Sequence, residues 1–466
     1  MRYICGRGYN SAYIYDVHGG VRMCAWLNQY GTLGNILEDD FSDIMTGKKA
    51  EALFGKMADG KYEECGCCDG MCMYMMNDEM KDNLVEYTGL RPYPSELNLA
   101  FEHICNYRCS FCAASKMIDD FKDHNYEKNL DLIEVRLTDV LPHIKTISAN
   151  GNGELFCSPR TLRLLANWNP IAPKEEISVE LESNGSLFNE KNWEKISNLG
   201  QYNLGVTITV TSFEEAVYQY LSGTNLPISN MEHNLEFLAK LRKEGVINHL
   251  TITNIVQEIN FREMPSFAKK CIEHYNVDVV NFRPIFIRGN AGGADENIKW
   301  FFDVRNPWHP YYKIYKKILE DPIFDNPKVY MFAGDYDSDT GNHPGIKQRD
   351  ILKMVSMINN DSSQIIDWLV EKIENQTVII YGAGIVGRCI FDNVKDKHGI
   401  NIKGFIDLYS NRDVYKNMPI YHSISAERVC DVVVLSVYDS GSQLEKQLYG
   451  VGFRKVINVF DLCRDA

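Results

Sequence analysis

The chain has 466 residues, of which 45% are hydrophobic and 24% charged, a composition typical of a soluble globular protein with about three domains. Its formal net charge of −14 disfavours nucleic acid as the main partner. No apolar run approaches the roughly 18 residues that cross a membrane, so we expect no membrane partner either.

The first 90 residues form the first predicted unit, which is rich in cysteine, glycine, methionine and tyrosine. Extended segments 12–16 and 20–25 flank a turn and predict a hairpin, and apolar spacing predicts a helix over 41–59. The unit ends in Cys65-Gly66-Cys67-Cys68-Asp69-Gly70-Met71-Cys72, where glycines permit tight turns that let neighbouring thiols converge on one metal. The chain begins without the apolar segment of a signal peptide, so these cysteines favour metal ligands or free thiols in a cytoplasmic protein.

A second cysteine group, Cys105, Cys109 and Cys112, has the spacing C-x3-C-x2-C and directly follows an extended segment, 96–102. This motif resembles the cluster motif of radical S-adenosylmethionine (radical SAM) enzymes. The resemblance implies a 4Fe-4S cluster on these three thiolates, with the fourth iron left open to chelate the methionine half of SAM. It also implies that Phe111 packs near the adenine, and a core aromatic is the alternative. The alternative is a zinc knuckle, but structural zinc prefers four ligands and no fourth Cys or His follows at close spacing.

Residues 91–320 alternate predicted strands and helices, which is typical of parallel β/α units. The predicted strands are 96–102, 145–150, 177–183, 204–210, 250–257 and 277–286, and the predicted helices include 130–141, 159–168, 190–199, 231–244 and 264–275. Six such units are the number that the resemblance implies. The expected fold class is therefore α/β, with an open six-stranded (β/α)6 partial barrel.

Ligands of such folds gather at the carboxyl ends of the strands, and short polar motifs follow the first three strands. Asn150-Gly151-Asn152-Gly153-Glu154 is similar to the Gly-Gly-Glu element of the family, which implies that Gly151, Gly153 and Glu154 hold the SAM amino group. Ser183 and Asn184 are similar to the Thr-Asn-Gly element near the ribose. Plain turns are the alternative. The polar residues at the ends of the later strands are Thr209, Thr211, Glu258, Asn260 and Arg283. Polar residues at strand ends are often caps, and this is the stronger interpretation of them.

The first 90 residues are also similar to a SPASM domain, an auxiliary-cluster module of radical SAM enzymes that modify peptides. The matching elements are Cys5, Tyr13-Ile14-Tyr15, Gly19-Gly20-Val21, Cys24 with Trp26, Gly34-Asn35-Ile36, Asp43-Ile44-Met45, and Cys65, Cys68 and Cys72. Here the module precedes the barrel, whereas in the family it usually follows, and its cysteines are too few for two clusters. We therefore expect one auxiliary 4Fe-4S cluster on Cys24, Cys65, Cys68 and Cys72, with Cys5 as the next candidate. A single zinc site is the alternative.

The remaining chain is predicted to contain a helical linker, 321–375, and a Rossmann-like domain, 376–466. The latter opens with a strand, Gly382-Ala383-Gly384-Ile385-Val386-Gly387 and a helix, and Asp407 ends its second strand. Further strands are predicted at 431–436 and 455–459. The pattern places a pyrophosphate near Gly382, Gly384 and Gly387 and a ribose near Asp407. Similar small domains accompany sugar-modifying enzymes, so a scaffolding or partner-docking role is the alternative to a bound nucleotide.

These motifs together predict a radical SAM enzyme that forms a 5'-deoxyadenosyl radical and abstracts hydrogen from a substrate. A flavodoxin or ferredoxin would donate the electron, and the auxiliary cluster would assist a net oxidation or another post-translational modification. The substrate is expected to be a peptide or protein, or a sugar or nucleotide-linked metabolite. Two alternatives belong to other classes: a non-catalytic iron-sulfur or zinc protein with a nucleotide-sensing domain, and a nicotinamide oxidoreductase.

Overall fold

The computed structural model describes residues 2–24, 31–61, 84–112, 125–149, 152–285, 303–305, 309–331, 354, 358, 364–397, 399–408, 410, 413–424, 430–437 and 443–461. Within them the strands form three sheets of two, ten and six strands. No helix of this part of the chain is long and apolar enough to cross a membrane.

The amino-terminal unit combines a short two-stranded sheet with a three-stranded antiparallel segment. β1 (Tyr3–Cys5) pairs with β5 (Leu84–Glu86), and β2 (Ser11–Ile14) pairs with β3 (Gly20–Arg22), which pairs with β4 (Thr32–Asn35). The predicted hairpin is therefore confirmed. Helix α1 (Gly6–Asn10) joins β1 to β2.

The single helix predicted over 41–59 is two helices, α2 (Phe41–Thr46) and α3 (Lys48–Ala58). They are separated by Gly47, whose backbone is extended and whose carbonyl accepts the amide of Glu51. A β-carbon at Gly47 would come 2.8 Å from the carbonyl oxygen of Asp43, so the break uses the small size of glycine.

Six parallel strands follow, and all six lie where the sequence predicts them. They are β6 (Glu96–Leu99), β7 (Thr146–Ala149), β8 (Ser178–Ser183), β9 (Asn203–Thr209), β10 (His249–Val256) and β11 (Val279–Pro284). The helices between them are α4 (Tyr126–Val140), α5 (Pro159–Ala166), α6 (Glu190–Trp193), α7 (Glu215–Ser222), α8 (Ile228–Lys243) and α9 (Met264–Glu273). The predicted alternation of strand and helix is confirmed, although the sequence patterns did not single out α7.

The sheet extends beyond these six strands on both sides. β2 of the amino-terminal unit pairs in parallel with β6, and β12 (Val329–Met331) pairs in parallel with β11 after helix α10 (Tyr312–Ile318). The result is a ten-stranded sheet in the order β12-β11-β10-β9-β8-β7-β6-β2-β3-β4. The amino-terminal unit is thus joined to the strand that precedes the Cys105 loop, and the segment predicted as a helical linker contributes a strand.

The two faces of the parallel strands differ in polarity. Ile208, Ile252 and Val280 lie in register on one face and are fully buried. On the other face Thr209, Thr253 and Asn281 lie in register, and Glu182 is exposed one row earlier. A parallel sheet is usually apolar on both faces because helices cover both, so this polar face is suited to a polar ligand.

The carboxyl-terminal unit is a second parallel sheet. Its strands are β13 (Thr377–Tyr381), β14 (Asn401–Ile406), β15 (Val414–Tyr415), β16 (Met418–Tyr421), β17 (Val432–Leu435) and β18 (Val456–Asn458), in the order β15-β16-β14-β13-β17-β18. Only β15 is antiparallel to its neighbour. The helices are α11 (Gln364–Ile373), α12 (Ile385–Val394) and α13 (Gln443–Gly450). The predicted strands near 431–436 and 455–459 and a helix before this unit are confirmed.

Candidate functional site

The loop after β6 carries Cys105, Cys109 and Cys112, and all three thiols are partly exposed. The Sγ atom of Cys105 accepts hydrogen bonds from the amide of Tyr107 at 3.4 Å and from the Asn184 side chain at 3.8 Å. Such N–H to sulfur bonds stabilise the negative charge of a ligating thiolate. Burial raises the pKa of the Cys105 thiol to about 11, so a bound metal would have to displace its proton.

The thiol donors suit an iron-sulfur cluster, but the loop alone does not form a preorganised cage. Within the described parts of the chain, no group of three or more Cys, His, Asp or Glu side chains is arranged to hold a metal ion. The loop is held by its backbone instead: the amides of Arg108 and Ser110 donate to the last carbonyls of α7, those of Ser222 and Leu221, at 3.1 and 3.0 Å. The three thiols therefore lie on one loop that is held in place by its backbone, and ligands of one cluster must lie close together in this way.

Glu154 follows β7 and connects the ends of three neighbouring strands. Its side chain is fully buried. Oε1 accepts the hydroxyl of Ser183 at 2.7 Å and the amide of Phe156 at 3.3 Å, and Oε2 accepts the amide of Asn184 at 2.7 Å. Burial raises the pKa of Glu154, and these donors act in the opposite direction. The backbone amide of Glu154 donates to the carbonyl of Ile104 at 2.7 Å, which ties this segment to the cysteine loop.

Gly153 is required by packing within the protein. A β-carbon at this position would overlap the carbonyl oxygen of Ile104 and lie 2.8 Å from its nitrogen. The sequence suggests glycine at this position because SAM must come close to the main chain. In the structure the backbone of the cysteine loop at Ile104 also comes too close to Gly153 for any larger residue. Asn150 and Gly151 lie outside the described residues. Asn152 donates its side-chain amide to the carbonyl of Tyr15 at 2.6 Å, so the amino-terminal unit contacts the same loop.

Asn184, at the end of β8, completes the group. Its side-chain amide also donates to Oδ1 of Asn106 at 2.9 Å, and its Oδ1 accepts the hydroxyl of Ser186 at 2.7 Å. Gly185 next to it has a positive φ of 77°, which favours glycine. The structure therefore brings together Cys105, Glu154, Ser183 and Asn184 at the carboxyl ends of β6, β7 and β8. Phe111 lies half-buried on the same loop.

Several residues of this region were not found by sequence reasoning. Cys157 is a single cysteine outside the two cysteine groups, and such a residue is by default expected to be a small buried hydrophobe. It is instead partly exposed, and its thiol accepts a hydrogen bond from the backbone amide of Asn106. Tyr107 and Tyr218 are both buried and share a hydrogen bond between their hydroxyls. Neither feature has a sequence signal, because the contacts join segments far apart in the chain.

The polar residues predicted at the later strand ends have mainly structural contacts. The hydroxyl of Thr211 bonds that of Ser222 at 2.9 Å, and Asn260 donates to the carbonyls of Thr211 and Ile255 at 2.7 and 3.0 Å. Glu258 forms a buried ion pair with Arg388 of the carboxyl-terminal unit. Thr209 and Arg283 remain on the polar face of the sheet.

For the predicted auxiliary cluster, only Cys5 and Cys24 can be placed, since Cys65, Cys68 and Cys72 lie outside the described residues. Cys5 ends β1, and Cys24 follows β3. Tyr13 and Tyr15 stack with ring centroids 5.8 Å apart, and Cys24 lies near enough to contribute, after burial, to the raised pKa of Tyr13.

The three glycines of the loop in the carboxyl-terminal unit differ in why a glycine stands there. Gly382 has a φ of 102°, and a β-carbon at Gly387 would overlap the carbonyl oxygen of Gly382. At Gly384 a β-carbon would meet nothing within 4 Å, so this glycine is not required by packing. Asp407 accepts the amides of Ala383 and Ser410, both at 2.9 Å, so its carboxylate contacts the loop directly.

Comparison with known proteins identifies two domains. Residues 101–271 match the model of the radical SAM superfamily, and residues 5–69 match SPASM, an iron-sulfur cluster-binding domain. No curated protein matches the chain.

Two solved structures are similar at 15% sequence identity. Streptococcus suis SuiB bound to S-adenosylmethionine has a TM-score of 0.36, over 64% of this chain and 68% of that one. The radical S-adenosylmethionine methyltransferase TsrM from Kitasatospora setae, with cobalamin and a [4Fe-4S] cluster bound, has a TM-score of 0.24, over 39% of this chain and 34% of that one. With TM-scores this low, neither similarity bears on what this chain does.

The domain matches agree with the residues of the site. The radical SAM domain includes the cysteine loop, Glu154 and Asn184. The SPASM match includes Cys5, Cys24, Cys65 and Cys68, and it ends before Cys72. The cofactors are therefore a 4Fe-4S cluster with SAM and an auxiliary iron-sulfur cluster, and the non-catalytic and zinc-only alternatives are wrong. The chain carries a radical SAM domain preceded by a SPASM-type domain, and it is an iron-sulfur enzyme that depends on S-adenosylmethionine.

Proposed function

We propose that this enzyme abstracts hydrogen from a peptide, protein or sugar-type substrate bound on the polar face of the ten-stranded sheet. A 4Fe-4S cluster on Cys105, Cys109 and Cys112 would supply the electron that cleaves SAM to methionine and a 5'-deoxyadenosyl radical. The observation that carries the proposal is the convergence of Cys105, Glu154 and Asn184 at three neighbouring strand ends. On this interpretation the six parallel strands β6 to β11 are the partial barrel of the superfamily.

The chain's own residues orient the reactants. The buried carboxylate of Glu154 holds the Ser183–Asn184 segment against the cysteine loop, through Oε1 to the Ser183 hydroxyl and Oε2 to the Asn184 amide. Because this side chain is fully buried, it would act on the SAM amino group through the position of that segment and not by direct contact. Asn184 donates to Cys105 and so stabilises the thiolate charge. Phe111, half-buried on the same loop, would pack against the adenine.

The substrate radical left after hydrogen abstraction would give one electron to the auxiliary cluster and a proton to a base, which makes the reaction a net oxidation. A flavodoxin- or ferredoxin-type partner would provide the electron for SAM cleavage. Thr209, Asn281 and Glu182 offer hydrogen-bonding groups to the substrate, which suit the amides of a peptide or the hydroxyls of a sugar. Cysteines that serve as iron-sulfur cluster ligands support a cytoplasmic location.

The carboxyl-terminal unit is proposed to be a Rossmann-like domain. Its parallel strands, in the order β16-β14-β13-β17-β18, follow the order 3-2-1-4-5 of doubly wound nucleotide-binding sheets. The open surroundings of Gly384 favour a bound nucleotide, because the second glycine of such loops allows a phosphate to approach. The Asp407 carboxylate already accepts the backbone amides of Ala383 and Ser410, which favours a structural role of this residue over recognition of a ribose.

The test is anaerobic reconstitution of the full chain with iron and sulfide, followed by SAM and dithionite. The wild type should form 5'-deoxyadenosine well above a Cys109→Ala control, and equal amounts from both would contradict the proposal. Mass spectrometry after incubation with candidate peptides and sugars then separates the substrate classes, since a net oxidation lowers the product mass by the two hydrogens lost.

A further inference from the structure

The carboxyl-terminal unit contacts the radical SAM domain through Arg388, on the first turn of α12 directly after Gly387. The Arg388 side chain is 4% exposed and pairs with the carboxylate of Glu258, which is 9% exposed and follows β10. A second guanidinium nitrogen donates to the hydroxyl of Tyr220 on α7. A buried ion pair of this kind requires both partners, because removing one leaves the other charge buried and unpaired.

Aromatic contacts hold the same side chain. The guanidinium carbon of Arg388 lies 5.6 Å from the ring centroid of Tyr220 and 5.8 Å from that of Tyr415 on β15. The two rings meet edge to face at 5.3 Å. Tyr220 therefore contacts two side chains of the carboxyl-terminal unit, and both contribute to its position.

The same helix, α7, also holds the cysteine loop. The carbonyls of Leu221 and Ser222, the two residues after Tyr220, accept the amides of Ser110 and Arg108. Two residues before Tyr220, the hydroxyl of Tyr218 bonds that of Tyr107. One short helix thus contacts Arg388 at one residue and the cysteine loop at three.

We propose that Arg388 is a positioning residue for the cluster that cleaves SAM: it fixes Tyr220 and hence α7, and α7 fixes the loop that carries Cys109 and Cys112. Small displacements of ligating residues and of the groups around them change the reduction potential and reactivity of a cluster. The carboxyl-terminal unit then has a function in catalysis whether or not its glycine loop binds a nucleotide. The proposal rests on the cleavage of SAM at this loop.

The experiment compares wild type, Arg388→Ala, Arg388→Lys and Tyr220→Phe as reconstituted full-length proteins. Arg454→Ala removes an exposed arginine of the same unit and serves as the control. Iron content and thermal unfolding show whether each variant is folded and loaded. The rate of 5'-deoxyadenosine formation and the change that SAM causes in the EPR spectrum of the reduced protein report on the cluster, since the auxiliary cluster is not expected to bind SAM.

We expect Arg388→Ala to slow SAM cleavage by about tenfold or more and to alter the SAM-dependent EPR change, because small errors of position have such effects on rate. Arg388→Lys should restore part of the rate, since lysine keeps the charge but cannot form the two-sided contact. Tyr220→Phe, which removes only a hydroxyl, should change the same two quantities to a smaller extent. Arg454→Ala should behave as wild type.

A wild-type rate and EPR spectrum in both Arg388→Ala and Tyr220→Phe would overturn the proposal. If Arg388→Ala fails to fold, Tyr220→Phe still decides, and wild-type behaviour there would show that Arg388 acts only in stability. Wild-type protein that cleaves no SAM would overturn the proposed function, and this proposal with it.

Discussion

Replacement of Glu154 by glutamine tests how much SAM binding depends on the buried carboxylate. Glutamine keeps the shape of the side chain but presents an NH2 group where one carboxylate oxygen accepted a hydrogen bond. The donors around it, the Ser183 hydroxyl and the Phe156 and Asn184 amides, cannot all be satisfied by the single remaining oxygen. The substitution therefore places a donor against a donor in a fully buried position.

The size of the effect follows from these contacts. A hydrogen bond to a charged group contributes about 1.5–3 kcal/mol, and a buried donor left without an acceptor costs about 1–3 kcal/mol. Partial rearrangement lowers the sum, so we expect the placement of residues 183–184 against the cysteine loop to weaken by about 2–4 kcal/mol. If half of this loss, about 1–2 kcal/mol, appears in SAM binding, the affinity falls by about five- to thirtyfold.

The assay is SAM binding by calorimetry on anaerobic holoprotein, together with the rate of 5'-deoxyadenosine formation. The matched control is Glu263→Gln, because Glu263 also accepts a serine hydroxyl, that of Ser212 at 2.7 Å, and a backbone amide, that of Phe213 at 3.3 Å, but away from the cysteine loop. Glu263→Gln should bind and cleave SAM as the wild type does. Wild-type SAM affinity and rate in a folded, iron-loaded Glu154→Gln would refute the reasoning.

Three further predictions concern pH, the glycine loop and the clusters. Burial raises the pKa of Glu263 from 4.5 to about 7, so its contribution to stability is present at pH 4 and lost as pH rises through 7. The Glu263→Gln side chain cannot ionise, so its unfolding free energy should rise relative to that of the wild type by about 1–3 kcal/mol between pH 5 and pH 8 in denaturant titrations. If the difference in unfolding free energy between the two proteins is the same at both pH values, the raised pKa of Glu263 is wrong. Gly387→Ala should lower the melting temperature, because the added β-carbon overlaps the Gly382 carbonyl oxygen. Gly384→Ala should leave the melting temperature unchanged but weaken nucleotide binding to the full chain. Equal melting temperatures of the two variants would contradict the loop geometry. Wild-type protein with one auxiliary cluster should contain about eight iron and eight sulfide per chain and Cys109→Ala about four of each, whereas about four in the wild type would mean a single cluster.

Much of the architecture was predictable because it depends on local patterns. Apolar periodicity and turn residues located all six strands of the central segment within a few residues. The cysteine spacing and the glycine-acid motif could be recognised for a similar reason, because the residues of each motif lie on one loop and are therefore close together in the chain.

Contacts between distant segments were not predictable. Nothing in the sequences of β2 and β6 indicates that the two strands pair. The sequence therefore did not predict that the amino-terminal unit extends the central sheet. The same holds for Cys157 near Asn106, for β12, and for Arg388 against Tyr220 and Glu258. Each of these depends on how separate elements pack.

The sequence by itself therefore determined the chemistry, since three thiols spaced C-x3-C-x2-C, a neighbouring acid and a strand-helix alternation all lie in short stretches of chain. Only the tertiary structure decided what surrounds that chemistry. It placed Glu154 beneath Asn184, the amino-terminal unit beside Asn152, and α7 between the cysteine loop and Arg388. The physical reason is that ligand spacing is a local property of the chain, whereas burial and hydrogen-bond partners depend on segments that meet only after folding.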